Sequence, residues 1–251
     1  MAFKKHIIHL TLLLCVFSAK SQLNNETFGS PVFWYEKPEN YTIQTGSNPP
    51  CFVLYSSGIL IYKKGKFFKK VQLTPDEKLS IANNLFIDDT IFNTSLLFNT
   101  EDLNTATLSS DLPIYQFSLR RHLRDSTATI VVYGSLNNPK YQNNYIEKLL
   151  SIHIFITNYD HPDAVEWTPE MVQVTASAFP PSKMLPINWP NEVPATFQEK
   201  EDMPWKTMLL EKKYFDPIKS ILSNQTYNSP IKIGDKNYSL SLKYLIPGLG
   251  Q

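Results

Sequence analysis

The sequence predicts an α+β fold built on a mainly antiparallel sheet, with β-hairpins and two or three packed helices. Three observations carry this. Short apolar runs with the two-residue period of strands recur around tight turns. Two segments, after Leu73 and after Leu136, change to a helical period and begin with capping residues. Hairpins and helices then occupy separate stretches instead of alternating as βαβ units.

The elements follow in order. Residues 22–50 are rich in Asn, Thr, Pro and aromatics, and Phe33-Trp34-Tyr35 is a short strand or plug. Phe52-Val53-Leu54-Tyr55 and Ile59-Leu60-Ile61-Tyr62 flank Ser56-Ser57-Gly58, which reads as a hairpin. Lys63-Lys64-Gly65-Lys66 is a second turn, and Phe67 to Leu73 a third strand. Thr74-Pro75-Asp76-Glu77 then starts a helix. Thr74 caps it, Pro75 suits the first helical position, and the acids meet the positive end of the dipole. Leu79, Ala82 and Phe86 share one helical face, with Ile81 and Leu85 beside them.

Ile114 to Leu119 alternates with Tyr115, Phe117 and Leu119 to one side. Arg120 to Asp125 forms a connection, and Thr127 to Tyr133 returns as a β-branched strand. Asn138-Pro139 opens a helix through about Thr157, with Tyr145, Leu149 and Ile152 on one face. This strand–turn–strand–helix order occurs twice. Eight of the 18 prolines lie between Pro162 and Pro204, so 158–206 reads as a long ordered connection with one strand from Met171 to Phe179. Asp216-Pro217 starts a short helix, and Ile231 to Leu245 makes a final hairpin whose inner face is Tyr238, Leu240, Leu242 and Tyr244. Residues 22–251 are expected to form a single α+β domain, with a subdivision near the Pro-rich 158–206 stretch as the alternative.

The N-terminus gives an address. Lys4 and Lys5 precede an apolar run from Ile7 to Phe17 that is too short to span a bilayer, and Ala19 and Ser21 are small residues before Gln22. This is the layout of a signal peptide over residues 1–21, so the protein is expected to be exported, either periplasmic or secreted. Lipid attachment at Cys15 is the minor alternative; Leu12-Leu13-Leu14 before it are larger than such a site prefers. No transmembrane segment is expected after cleavage. Cleavage would leave 21 Lys+Arg against 23 Asp+Glu, a balance that argues against nucleic acid as partner. It would also leave one cysteine, Cys51, which cannot form an internal disulfide and reads as a small buried side chain.

Signatures of chemistry are few. No glycine lies between Gly134 and Gly234, and the one G-x-G, Gly248-Leu249-Gly250, has no helix after it, so a phosphate cradle is not expected. Neither G-x-S-x-G nor H-E-x-x-H occurs. Asp160-His161-Pro162-Asp163 with Glu166 nearby is the densest group of acid–base residues, but its spacing fits neither a helical ligand pair nor a calcium loop. It reads as a solvated turn. His153, between Ile152 and Ile154, reads as a satisfied core or boundary histidine. No catalytic residue, metal ligand or cofactor is assigned. Lys63, Lys64 and Lys66 crowd one turn and Arg120, Arg121 and Arg124 another; at one end of a sheet the two would form a basic rim for anionic lipid, glycan or peptide carboxylates. The plainer reading is that turns carry such charges to keep sheet edges soluble. Trp34, Trp167, Trp189 and Trp205 could stack against sugars or peptide; the plainer reading is that they pack, three of them near proline and able to pin the 158–206 stretch. Five glycosylation sequons, including Asn40-Tyr41-Thr42 and Asn237-Tyr238-Ser239, matter only in a host that uses them.

Pro50-Cys51-Phe52-Val53-Leu54-Tyr55 with Gly58, the Leu73 to Glu77 helix start, Trp167-Thr168-Pro169-Glu170, Trp189-Pro190 and the closing Lys243-Tyr244-Leu245-Ile246-Pro247 together resemble exported bacterial proteins of no established activity. The resemblance implies an exported α+β domain and assigns no site. The function expected is that of a non-enzymatic binding or accessory protein of the cell envelope, its partner an envelope protein or glycan. Two alternatives are a hydrolase-like enzyme using His122, His161 or nearby carboxylates, and a peptidase inhibitor using the 180–204 segment as a wedge.

Overall fold

The computed structural model describes residues 28–37, 50–65, 67–87, 90–100, 112–121, 126–179, 184–199, 205–224 and 229–249. The N-terminal signal-like segment with Cys15, and also Lys66, His122 and Arg124, lie outside them. The chain is α+β, with two mixed sheets of mostly antiparallel strands. It forms two compact units, the first dominated by residues 50–167 and the second by 168–246. The change between them at Trp167/Thr168 falls inside the Pro-rich stretch.

The first unit holds β1 (Pro31–Glu36), β2 (Phe52–Tyr55), β3 (Ile59–Lys64), β4 (Phe67–Gln72), α1 (Pro75–Asn84), β5 (Leu96–Asn99), β6 (Ile114–Arg121), β7 (Ser126–Tyr133), α2 (Asn144–Asn158) and β8 (Val165–Trp167). Its eight-stranded sheet runs β5-β7-β6-β1-β2-β3-β4-β8. All neighbours are antiparallel except β5 and β7. Gly58 turns β2 into β3 at φ +84°, a left-handed value that glycine adopts freely, and a Cβ there would sit 3.1 Å from Gln72 Nε2.

One sheet face carries Phe33, Tyr35, Phe52, Leu54, Leu60, Tyr62, Phe117 and Ile130, and α1 and α2 supply Ile81, Leu85, Leu149 and Ile152 to the same core. Burying each of the aliphatic side chains stabilises the fold by about 1.5–3 kcal/mol. Val53, Tyr55 and Ile61, on the other face, are also buried. There Phe28 and Trp167 pack ring against ring, Phe28 also meeting Tyr55 and Trp167 also meeting Phe68.

Helix α1 is held at its start as the sequence predicts. Thr74 Oγ1 accepts the Glu77 amide at 3.3 Å, and Glu77 Oε2 accepts the Thr74 amide at 2.8 Å, a reciprocal capping box. Its buried face differs from the expected one: Ile81 and Leu85 are inside, whereas Leu79 is 58% exposed. The second helical segment is also split. Asn138 caps a single 3-10 turn, Pro139–Tyr141, and α2 begins afresh at Asn143, whose side chain accepts the amides of Tyr145 and Ile146.

The second unit holds β9 (Met171–Ala178), β10 (Ile187–Asn188), β11 (Gln198–Glu199), β12 (Trp205–Glu211), α3 (Phe215–Asn224), β13 (Ile231–Ile233) and β14 (Lys236–Tyr244). Its sheet order is β10-β13-β14-β9-β12-β11, with β10 and β13 parallel. Val172, Val174, Met208, Leu210, Ile231 and Leu240 meet Phe215 and Ile218 of α3 in a core of their own. Strand β12 starts in the last two residues of the 158–206 stretch read from sequence as connection and runs on to Glu211. Trp189 pins its loop, its indole N–H donating to the Val193 carbonyl at 3.0 Å.

Candidate functional site

Titratable side chains gather in the first unit where α2 ends. Tyr62 on β3 and Lys69 on β4 are cross-strand partners on the face covered by α2, and Lys64, two residues on, shares that face. The chain leaves α2 through Tyr159 in an extended conformation, which brings Asp160 and His161 over these residues. Asp160 Oδ1 accepts from Lys69 Nζ at 2.9 Å, from Tyr62 Oη at 3.0 Å and from the His161 amide at 3.0 Å. Lys64 Nζ donates to the Tyr159 carbonyl at 3.2 Å and lies 3.8 Å from Asp160 Oδ2. The hydrogen bond from Lys69, then that from Tyr62, lowers the Asp160 pKa to about 2. Burial raises the Tyr62 and Tyr159 phenols to about 12.

His161, its side chain only 11% exposed, uses both ring nitrogens. Nδ1 lies 3.1 Å from the Asp163 amide, which can only donate. Nδ1 is therefore an acceptor, and the ring proton on Nε2 is donated to Glu77 Oε1 at 3.1 Å. Glu77 thus receives the Thr74 amide and hydroxyl on one oxygen and His161 on the other. These bonds, Thr74 first, lower its pKa. The turn is solvated as expected, with Asp160, Pro162 and Asp163 exposed, and its polar groups also tie the end of α2 to the β3–β4 hairpin and the start of α1.

The other histidine with a described position lies apart from this group in its bonding. His153 on α2 sits against Tyr35 and Tyr115, with Nδ1 2.7 Å from Tyr35 Oη and ring centroids at 5.9 and 5.2 Å. Burial, then the charge of Lys37, lowers its pKa to about 4, and burial raises that of Tyr35. Cys51 is half-buried and free of any disulfide, its Sγ directed at the Tyr35 carbonyl at 3.5 Å.

Among the residues weighed for a basic rim, Arg120 and Arg121 do not share an end of the sheet with Lys63 and Lys64. Leu119, Phe33, Leu54 and Leu60 form one row across the sheet, and Phe117, Tyr35, Phe52 and Tyr62 the next on that face. Arg120 and Arg121 lie beyond the first row and Lys63 and Lys64 beyond the second, so the two pairs lie at opposite ends of the sheet. About 20 Å of strand separates them at some 3.3 Å per residue. Lys63 and Lys64 also point to opposite faces, as successive strand residues must.

The second unit offers a concave surface instead. An open cleft of ≈ 690 Å³ is lined by Asn188, Trp189, Asn191, Glu192, Lys232 and Gly234 among others. Asn188 and Lys232 are paired across β10 and β13. Sequence reading named Trp189 and the hairpin holding Lys232 but assigned none of these residues to a site. Their one local signal is Trp189-Pro190-Asn191-Glu192, a buried aromatic followed by polar turn residues.

Among the described residues no buried side-chain nitrogen or oxygen lacks a hydrogen-bond partner, and no group of three or more His, Cys, Asp or Glu is placed to hold a metal ion. No helix among them is long and apolar enough to cross a membrane. No protein-family model matches the chain, and comparison with curated proteins and with solved structures finds no match.

Proposed function

We propose that this is an exported protein that acts in the cell envelope by binding, as a non-enzymatic accessory protein. The observation that carries the proposal is the bonding of His161. A general base needs a nitrogen that can reach a substrate proton. Both His161 nitrogens are engaged, one by the Asp163 amide and one by a carboxylate that also caps α1. His153 is packed between tyrosines in the core and kept neutral. The open cleft of the second unit supplies a surface for a ligand. Export is supported by the charge and hydropathy pattern of residues 1–21.

Two measurements test this. Purified mature protein is expected to co-sediment saturably with isolated cell envelopes and to leave a panel of peptide, ester and glycoside substrates unchanged. Substrate turnover that disappears in a folded His161→Asn variant would replace the binding reading with the hydrolase one.

A further inference from the structure

We propose that the cleft beside β10 and β13 is a carbohydrate site that takes an uncharged oligosaccharide segment. This gives the binding reading above its ligand class and rests on it. Asn188 and Lys232 leave the same sheet face as partners across adjacent strands, about 5 Å apart at the normal strand spacing. The turn that follows β10 adds Asn191 and Glu192, and all four side chains are exposed. Amides both donate and accept, lysine donates, and a carboxylate accepts. Sugar hydroxyls also do both, so this mixed set matches vicinal hydroxyl groups.

Charge argues the same way. One cation and one anion give the cleft no net sign, so neither a polyanion nor a polycation gains from its field. An apolar ligand would strip water from four polar groups without replacing their hydrogen bonds. A peptide would add to the sheet at β10, but that strand is two residues long and offers little ladder to extend.

Trp189, Val193 and Ile233 also line the cleft, but their side chains are buried in the core of the unit, so they form its wall and the polar groups above carry the recognition. That wall is fixed before any ligand arrives. The Trp189 amide donates to the Lys232 carbonyl at 3.0 Å, the indole to the Val193 carbonyl at 3.0 Å, and the Val193 amide to the Pro190 carbonyl at 3.1 Å. Binding therefore orders little backbone. The volume of ≈ 690 Å³ falls within the usual range for ligand sites, and the open form lets a polymer run through.

The test is an amide NMR titration of the mature chain with chitotetraose, maltotetraose and mannotetraose, each to about 10 mM, which fills a site of millimolar Kd. Tetraglycine is the peptide control. At least one sugar is expected to shift residues 188–195 and 232–234 saturably. Asn188→Ala and Lys232→Met, both surface changes that leave Trp189 in place, are expected to weaken it about tenfold. Lys213→Met, elsewhere on the same unit, is expected to leave affinity unchanged. Shifts confined to other residues, shifts in the cleft from tetraglycine alone, or no shift from any sugar would each overturn the carbohydrate site. If the Asn188→Ala/Lys232→Met protein still co-sedimented with envelopes after such a result, the binding reading would stand and the cleft assignment alone would fall.

Discussion

His153 carries its ring between two phenols, and that position makes its protonation a stability matter. Its folded pKa, about 4, is below the ordinary 6.5, so the unfolded chain binds the proton more readily. Its contribution is therefore unaffected above pH 6.5 and is progressively lost as pH falls from 6.5 to 4. Urea unfolding at pH 7 and at pH 4.5 is expected to show a smaller difference in His153→Phe than in the parent protein. At pH 7 that variant should itself lose about 1–3 kcal/mol, because Tyr35 Oη is left without its partner. The pH 7 loss should shrink when Tyr35→Phe is added. Tyr62 allows a second test. Tyr62→Phe removes one of the donors to Asp160, so the Asp160 carboxyl should titrate closer to its usual 3.8, as read by carboxyl-carbon NMR, at a cost of about 1 kcal/mol in stability. His153 was legible as a core histidine from its isoleucine neighbours. The His161–Glu77 contact was not, because 84 residues separate its members and no local period records the meeting.

At the scale of elements, α1 gives the sharpest contrast. Leu85→Ala is expected to cost about 2–5 kcal/mol, as a fully buried leucine does, whereas Leu79→Ala should be nearly neutral. Thr74→Ala should cost about 1 kcal/mol through the lost cap. Thermal or denaturant unfolding of the three variants checks both statements. The start of α1 was readable because capping is local chemistry. Its rotation was not, because 79/82/86 and 81/85 both satisfy helical spacing and only the sheet beneath selects between them. The β2–β3–β4 hairpins were readable from period and glycine for the same local reason. Strand β5 was missed because it joins β7 in parallel, a pairing that no adjacent turn announces. Strand β12 was hidden behind Pro204. For the basic rim weighed from the sequence, Lys63 and Lys64 belong to β3 and Arg120 and Arg121 to β6, and strand directions place the two pairs at opposite ends of the sheet.

For the whole molecule, the exported form is expected to begin at Gln22 by intact mass, with lipid mass on Cys15 as the outcome that would tether it instead. The fold class was legible because it follows from the local succession of hairpins and helices. The two separate cores were less so, since a Pro-rich stretch marks a change in the chain without saying how each side closes. The position of β1 has a consequence for how the chain is made. It lies between β2, which follows it closely, and β6, whose partner residues begin at Gln116. At some 5–20 residues per second, roughly 4–16 s of synthesis pass before that second side is covered. During this interval Phe33 and Tyr35 stand on an open flank able to recruit a neighbouring nascent chain. The interval before β6 arrives is therefore a period of kinetic risk for the nascent protein, against which a holding chaperone would shield the open flank.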